Sequence, residues 1–277
     1  MSAHTKYELL KDNLRRLDRL AVSFSGGVDS TFLLKTAHDV LGNGVLAVSA
    51  RSSTFPKRES NEAVAFTESL GIEHVVIDSE ELEVEGFADN PTNRCYLCKT
   101  ELLGKVRAVA DAHGIPHIAE GSNADDDGDY RPGLQAVREC NVLSPLRQAG
   151  LTKNEIRQLS KELGLPTWNK QSFACLSSRF PYGETITKER LHRIDLAEQF
   201  LIDNGFKQVR VRFHCNLARI ETDAEGFQKL FDSALRNRIY SQFKALGFDY
   251  VALDLLGYRT GSMNETLPIT VLTASVG

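Results

Sequence analysis

The segment Ser23-Phe24-Ser25-Gly26-Gly27-Val28-Asp29-Ser30 joins a short apolar run to a longer amphipathic one. Two consecutive glycines let the backbone approach a phosphate, and a helix starting there offers unpaired N–H groups and its positive dipole end. Such a turn binds an anion. Ser25 and Ser30 add hydroxyls, and Asp29 is placed to hold a magnesium ion or to brace the loop. A Walker loop needs a lysine after the glycines and a Rossmann turn needs Gly-x-Gly-x-x-Gly; neither is present. The plain alternative is a glycine-rich strand-to-helix turn capped by serine, against which the number of matched positions argues.

Five cysteines are present, and Cys95-Tyr96-Leu97-Cys98 places two of them one turn apart at the start of a predicted helix. A helix N-terminus favours thiolate over thiol, so the pair supplies half a metal site. Cys175 is a third candidate, far along the chain. Cys140 and Cys215 read as small structural residues. Three chemistries are open to the trio: structural zinc, with His113 or His117 as a fourth ligand; an iron–sulfur cluster with one iron left without a protein ligand; or a redox dithiol with a separate nucleophile.

Positioning these groups requires a scaffold, and the pattern of apolar runs describes one. Leu20–Phe24, Val45–Ala50, His74–Asp78 and His117–Glu120 read as strands. Ser30–Val40, Pro56–Leu70 and Tyr96–His113 read as helices between them. The alternation predicts an α/β fold, a parallel sheet with helices on both faces, whose ligand site lies at the carboxyl ends of the strands. Thr152 with Glu155 three residues on forms a capping box. A second unit follows the tract NKQSFACLSSRFPYG: helix Thr187–Asn204, strands Gln208–Phe213 and Leu217–Ile220, helix Ala224–Leu246 and strand Tyr250–Asp254. That order predicts a small C-terminal α+β domain, with the boundary drawn between 1–180 and 181–277. Phe227, Phe231 and Tyr240 share the last predicted helix as core or subunit-contact residues.

The chain has 277 residues, 42% apolar and 25% charged, enough for a sizeable core. Its 33 basic and 37 acidic side chains leave a net charge of −4, so nucleic acid is not an expected partner. With no membrane-length apolar stretch, no secretory segment at the start and an odd cysteine count, the reading is of a cytoplasmic protein with reduced thiols.

The loop SFSGGVDS, the tract Gly121-Ser122-Asn123-Ala124-Asp125-Asp126-Asp127-Gly128-Asp129-Tyr130-Arg131-Pro132-Gly133, the junction CLSSRFPYG and the later VRVRFH together resemble one family. It is the LarE family of ATP-dependent sulfur transferases, which serve the nickel-pincer nucleotide cofactor of lactate racemase, within the ATP pyrophosphatase (PP-loop) superfamily. The resemblance runs from about Arg19 to Asn264. It implies that ATP adenylates a carboxylate of pyridinium-3,5-biscarboxylic acid mononucleotide and that sulfur then replaces the activated oxygen. One branch of the family sacrifices a cysteine at the junction. A second holds a [4Fe-4S] cluster on three cysteines, and the presence of Cys95, Cys98 and Cys175 resembles that branch. The same resemblance implies pyrophosphate and Mg2+ at Ser23, Ser25, Gly26, Gly27, Asp29 and Ser30, with Gly121, Asp127 and Arg131 also at the nucleotide. Arg179, Arg210 and Arg212 would clamp a phosphate, and Glu198 matches a family carboxylate near the site. Asn237 departs from the acidic residue of the cysteine-sacrificing branch.

Arg210 and Arg212, two apart on a strand, share a face, which is read alternatively as a solvated one. The acidic run at Asp125–Asp127 is read alternatively as a solvated loop. The expected partners are a small-molecule mononucleotide, sulfide or another sulfur donor, other nickel-pincer maturation proteins and a second copy of the chain. A tRNA thiolase of the same superfamily is the competing enzyme, and a non-catalytic ATP or iron–sulfur sensor the competing class. The cluster reading requires folding to gather three distant sulfur atoms beside the triphosphate cleft.

Overall fold

A computed structural model describes residues 1–126, 132–171, 174–259 and 261–267. The chain forms two compact units. Among the described residues, the first comprises 1–84 and 93–171, and the second 85–92 and 174–267.

In the first unit the elements run α1 (Ala3–Arg15), β1 (Leu20–Ser23), α2 (Val28–Leu41), β2 (Val45–Arg51), α3 (Lys57–Leu70), β3 (Glu73–Asp78), α4 (Arg94–Ala112), β4 (His117–Ala119), α5 (Gly133–Glu139), α6 (Pro145–Gln148) and α7 (Lys153–Glu162). The strands form one parallel sheet in the order β3-β2-β1-β4, with Leu20 opposite both Val45 and His117. A parallel bridge between Ala119 and Leu143 extends the β4 edge.

Period-two alternation sorts the strand side chains to two faces. Leu20, Val22, Val45 and Ala47 pack into a core with Leu10 and Leu14 of α1, Phe32 to Leu34 of α2 and Ile156 and Leu159 of α7. Ala21, Leu46 and Val48 turn the other way, against Leu103, Val106 and Ala110 of α4 and Val137 of α5. The doubly covered parallel sheet expected from the sequence is present, its element ends displaced by one or two residues. Helix α1, which the strand–helix alternation did not announce, begins at Ser2, whose hydroxyl accepts the Thr5 N–H. The capping box opens α7: Thr152 Oγ1 accepts the Glu155 N–H, and the Glu155 carboxylate accepts the Thr152 N–H.

The second unit contains α8 (Lys188–Asp203), β5 (Val209–His214), β6 (Leu217–Thr222), α9 (Ala224–Lys229), α10 (Ser233–Ala245) and β7 (Tyr250–Leu253). β5 and β6 form an antiparallel hairpin, and β7 pairs parallel with β6. The hairpin turns at Cys215 and Asn216, both at positive φ, the geometry that matches strand twist in a two-residue turn. The predicted helix Ala224–Leu246 is two helices. Asp232 interrupts it because its carboxylate caps α10, accepting from the N–H groups of Ala234 and Leu235. Phe231 lies at that break and is 74% exposed, and Tyr240 on α10 is 53% exposed. The core is aromatic: Phe213 meets Phe180 at 5.2 Å and Phe248 at 5.8 Å between ring centroids.

Candidate active site

The loop leaves β1 after Ser23, and the Phe24 N–H donates to the Val48 carbonyl at 2.8 Å, prolonging the parallel pairing. Gly26 sits at φ +69°, and a Cβ there would stand 3.2 Å from the Ala63 Cβ. Gly27 precedes α2, and no side chain caps the helix. The first N–H groups of α2 therefore face the loop as anion donors. Ser25 Oγ and Ser30 Oγ are 3.1 Å apart. From β4 the chain passes close to this helix start, for a Cβ on Gly121 would meet the Ser30 nitrogen at 3.0 Å and the Ser30 Cα at 3.2 Å. Ser23, Ser25, Gly26, Gly27, Asp29, Ser30 and Gly121 are thus brought together at the carboxyl ends of β1 and β4. A cleft beside them is lined by Phe24, Ser25, Val48, Ser49 and Phe55.

Three residues that sequence reasoning missed brace this site. Lys153 Nζ reaches Asp29 Oδ2 at 2.5 Å, leaving Asp29 Oδ1 buried without a partner. Burial pushes the Asp29 carboxyl above the usual range, while Lys153 pulls it the other way. A buried carboxylate oxygen beside a phosphate-binding turn suits a divalent cation, so the donor chemistry fits magnesium here. Lys170 Nζ contacts Glu59 at 2.8 Å and Glu62 at 2.6 Å and donates to the Gly26 carbonyl at 3.2 Å, fixing the back of the loop. His74 bridges Ser49 and Thr67 at 2.8 and 2.9 Å, and the Ser49 hydroxyl donates to the Phe24 carbonyl at 2.6 Å. Isolated lysines and a histidine give no local signal; only the fold shows their targets.

Part of the acidic run is structural. Asp125 accepts the Lys153 N–H and Asp126 accepts the Asn123 N–H. Asp127 and Arg131 lie outside the described residues.

Cys95 is exposed and Cys98 half-buried, both in the first turns of α4. Cys98 Sγ lies 3.9 Å from the buried carboxylate of Glu81, whose affinity for a proton is raised by burial. Lys99 pairs at 3.1 Å with Glu120, which also accepts from the hydroxyls of Ser122 and Ser144. Cys175 belongs to the second unit. Among the described residues no three or more His, Cys, Asp or Glu stand grouped to hold a metal ion. Cys95 and Cys98, one helical turn apart on α4, offer two thiol donors on one face of that helix.

In the second unit Arg179 and Glu198 are fully buried against one another, with Nε–Oε1 and Nη2–Oε2 both 2.9 Å. Arg179 Nη1 also donates to the carbonyls of Ala174 and Cys175 and to Ser178 Oγ. The Arg179 guanidinium is thus engaged by Glu198 and by the backbone around Cys175. Glu198 likewise faces protein, accepting the Val211 N–H at 2.9 Å. Burial opposes its ionisation, yet the charge and hydrogen bonds of Arg179 hold it below the usual carboxylate range.

Arg210 and Arg212 share a face of β5 and are buried, so the solvated-face alternative does not hold. Arg212 contacts Glu221 at 2.7 Å, Ser262 and the Ser178 carbonyl. Arg210 stacks on Tyr258 at 5.1 Å, and burial together with the nearby Arg179 charge pushes it down to about 10. It remains a cation at neutral pH. The charges of Arg179, Glu198 and Arg212 all act on Arg210.

No protein-family model matches the chain. A pyridinium-3,5-bisthiocarboxylic acid mononucleotide synthase of Lactiplantibacillus plantarum is 39% identical to it over 264 residues, 95% of each chain. The chain belongs to the LarE family. An uncharacterized protein of Synechocystis sp. is 43% identical over 263 residues, 95% of this chain and 98% of its own length. A glutamine-hydrolyzing GMP synthase component from Thermoplasma volcanium is 30% identical over 176 residues, 57% of this chain and 56% of its own. LarE membership makes the chain an ATP-dependent enzyme of the ATP pyrophosphatase superfamily and a sulfur transferase. Among the described residues, no helix of this LarE protein is long and apolar enough to cross a membrane.

Proposed function

We propose that the enzyme uses ATP to adenylate a carboxylate of pyridinium-3,5-biscarboxylic acid mononucleotide and replaces the activated oxygen by sulfur, giving the thiocarboxylate precursor of the nickel-pincer cofactor. The observation that carries the reading is the uncapped start of α2 beside Ser25 and Ser30, which Gly26 and Gly121 allow to pack closely against α3 and the end of β4. In this reading those N–H groups and hydroxyls hold the pyrophosphate as it leaves, so the departing charge meets fixed donors. Asp29 would hold Mg2+, which when bound neutralises phosphate charge.

Arg210 and Arg212 bind the phosphate of the mononucleotide in this scheme, and Arg179 with Glu198 positions the backbone at Cys175. Cys95, Cys98 and Cys175 would ligate a [4Fe-4S] cluster, which when bound supplies an iron without a protein ligand, open to sulfur. The start of α4 contributes by favouring the thiolate state of its two cysteines. Sulfide or another donor reloads the site. We place the enzyme in the cytoplasm as an oligomer, in contact with other proteins that mature the cofactor.

The test is anaerobic turnover of the biscarboxylate mononucleotide with ATP, Mg2+ and sulfide, following pyrophosphate and thiocarboxylate together. Both should rise in step. Tight, salt-dependent tRNA binding with thiolation of tRNA, or ATP binding without pyrophosphate release, would overturn the proposal in favour of a tRNA thiolase or a sensor.

A further inference from the structure

Gln208 stands one residue before β5 and is 6% exposed, yet neither its amide nitrogen nor its amide oxygen has a hydrogen-bond partner. A buried amide left empty at both ends is uncommon, because each end surrenders a hydrogen bond to water on folding. Its backbone is fixed, the carbonyl accepting the Thr222 hydroxyl at 2.9 Å. Counted back by twos from Arg212 and Arg210, Gln208 is the next position, at the bend that enters β5. That series holds a second orphan. Arg212 Nε is buried without a partner, although its Nη1 and Nη2 are both engaged.

Gln208 and Arg212 therefore offer three N–H bonds, two on Gln208 Nε2 and one on Arg212 Nε, and one carbonyl oxygen, all withdrawn from water. A ligand that completes the set brings acceptors for the N–H groups and a donor for Gln208 Oε1. A carboxylate or a phosphate dianion has no proton to give. A hydroxyl does both, accepting from Nε2 and donating to Oε1.

We propose that Gln208 binds a sugar hydroxyl of a phosphate ester whose phosphate lies along Arg210 and Arg212, and so selects a ribosyl phosphate over a bare anion. The assignment rests on the reading that the arginine row takes the phosphate of the mononucleotide. A site built on arginine alone accepts any phosphate of suitable size; an amide with both ends unpaired rejects one that lacks the hydroxyl.

The test is calorimetric titration of the full-length wild type, Gln208→Leu and Gln208→Met with two probes, inorganic phosphate and ribose 5-phosphate, alongside thermal melts. Wild type should bind ribose 5-phosphate roughly tenfold or more tightly than phosphate. Both variants should bind phosphate as wild type does, lose the sugar preference, and melt no lower than wild type, since each removes an unpaired buried amide. Equal affinity of wild type for the two probes, or a preference that survives in both variants, overturns the role of Gln208 and leaves the arginine row standing. Lowered melting with lost phosphate binding in both variants makes the amide structural and also overturns it. Failure of wild type to bind either probe overturns the reading of the arginine row, and this assignment with it.

Discussion

Lys153, the first residue of α7, closes on the carboxylate of Asp29 in the first turn of α2, across 124 positions of sequence. One oxygen of Asp29 is taken by this ion pair and the other is left buried and open. The pair thus fixes the orientation of a carboxylate beside the phosphate loop while reserving one of its oxygens.

Replacing Lys153 by Met removes the charge that favours ionised Asp29. Burial already holds the Asp29 proton to higher pH than usual. In Lys153→Met the carboxyl should stay protonated to higher pH still, and the acidic limb of kcat/KM for ATP should move upward. For a carboxyl whose folded pKa is raised, the stabilising contribution is complete below the unfolded value and is lost as pH rises through the folded one. Asp29→Asn should therefore melt no lower than wild type at neutral pH while losing ATP turnover. An acidic limb that stays in place in Lys153→Met would detach the ion pair from the chemistry.

Gly26→Ala and Gly121→Ala should separate backbone strain from steric intrusion. A side chain at the positive φ of Gly26 costs about 1–2 kcal/mol, and that variant should melt lower with moderate loss of ATP affinity. At Gly121 the new methyl meets backbone atoms of Ser30, so the start of α2 must shift. The KM for ATP should rise roughly tenfold or more, since small displacements of a binding turn are heavily penalised. Wild-type kinetics in Gly121→Ala would refute the close approach.

Arg179→Met should lower stability by about 3–5 kcal/mol, because it strands the Glu198 charge in the interior. Urea unfolding at neutral pH measures this, and Arg179→Lys should not restore it, lacking the two-pronged geometry. Glu198 titrates below the usual range in the folded state, so its contribution is present above the ordinary glutamate pKa of 4.5 and vanishes as pH falls through the folded value. The variant and wild type should converge in stability on acidification. A constant difference across pH would exclude the ion pair as its source.

Anaerobically purified protein should be brown, with about four irons and broad absorbance near 400 nm. Cys95→Ala, Cys98→Ala and Cys175→Ala should each abolish the colour and the iron, whereas Cys140→Ala and Cys215→Ala should keep both. A colourless protein with one tightly held zinc ion would give the cysteines a structural role.

What could be read from the sequence was local. The strand–helix alternation, the glycine turn and the Thr152 capping box each depend on residues within a few positions, and each is present in the structure. Where one local signal competes with another, the reading failed: helical periodicity ran through Asp232, but its carboxylate stops one helix and caps the next. Long-range pairing was beyond reach. Nothing near Lys153 announces Asp29, nothing near Lys170 announces Gly26, and Arg179 gives no local sign that its fork is closed on Glu198. Charged side chains read as ligand-facing can instead be satisfied by distant protein groups, a distinction set by tertiary packing rather than by spacing.

The second unit is made from two separated stretches of chain. Asn90 donates to the carbonyls of Phe180 and Pro181 and its own carbonyl accepts the Gly183 N–H, while the Ala88 carbonyl accepts the Ile186 N–H. During synthesis, residues 85–92 emerge long before those partners, and must wait for most of a hundred further residues to be made. A gene shortened after residue 173 would leave that octapeptide with orphaned amides and carbonyls, immediately ahead of Cys95 and Cys98. Dissection of this enzyme into separately expressed halves is therefore expected to disturb the CxxC helix, even when the cut is made far downstream of it.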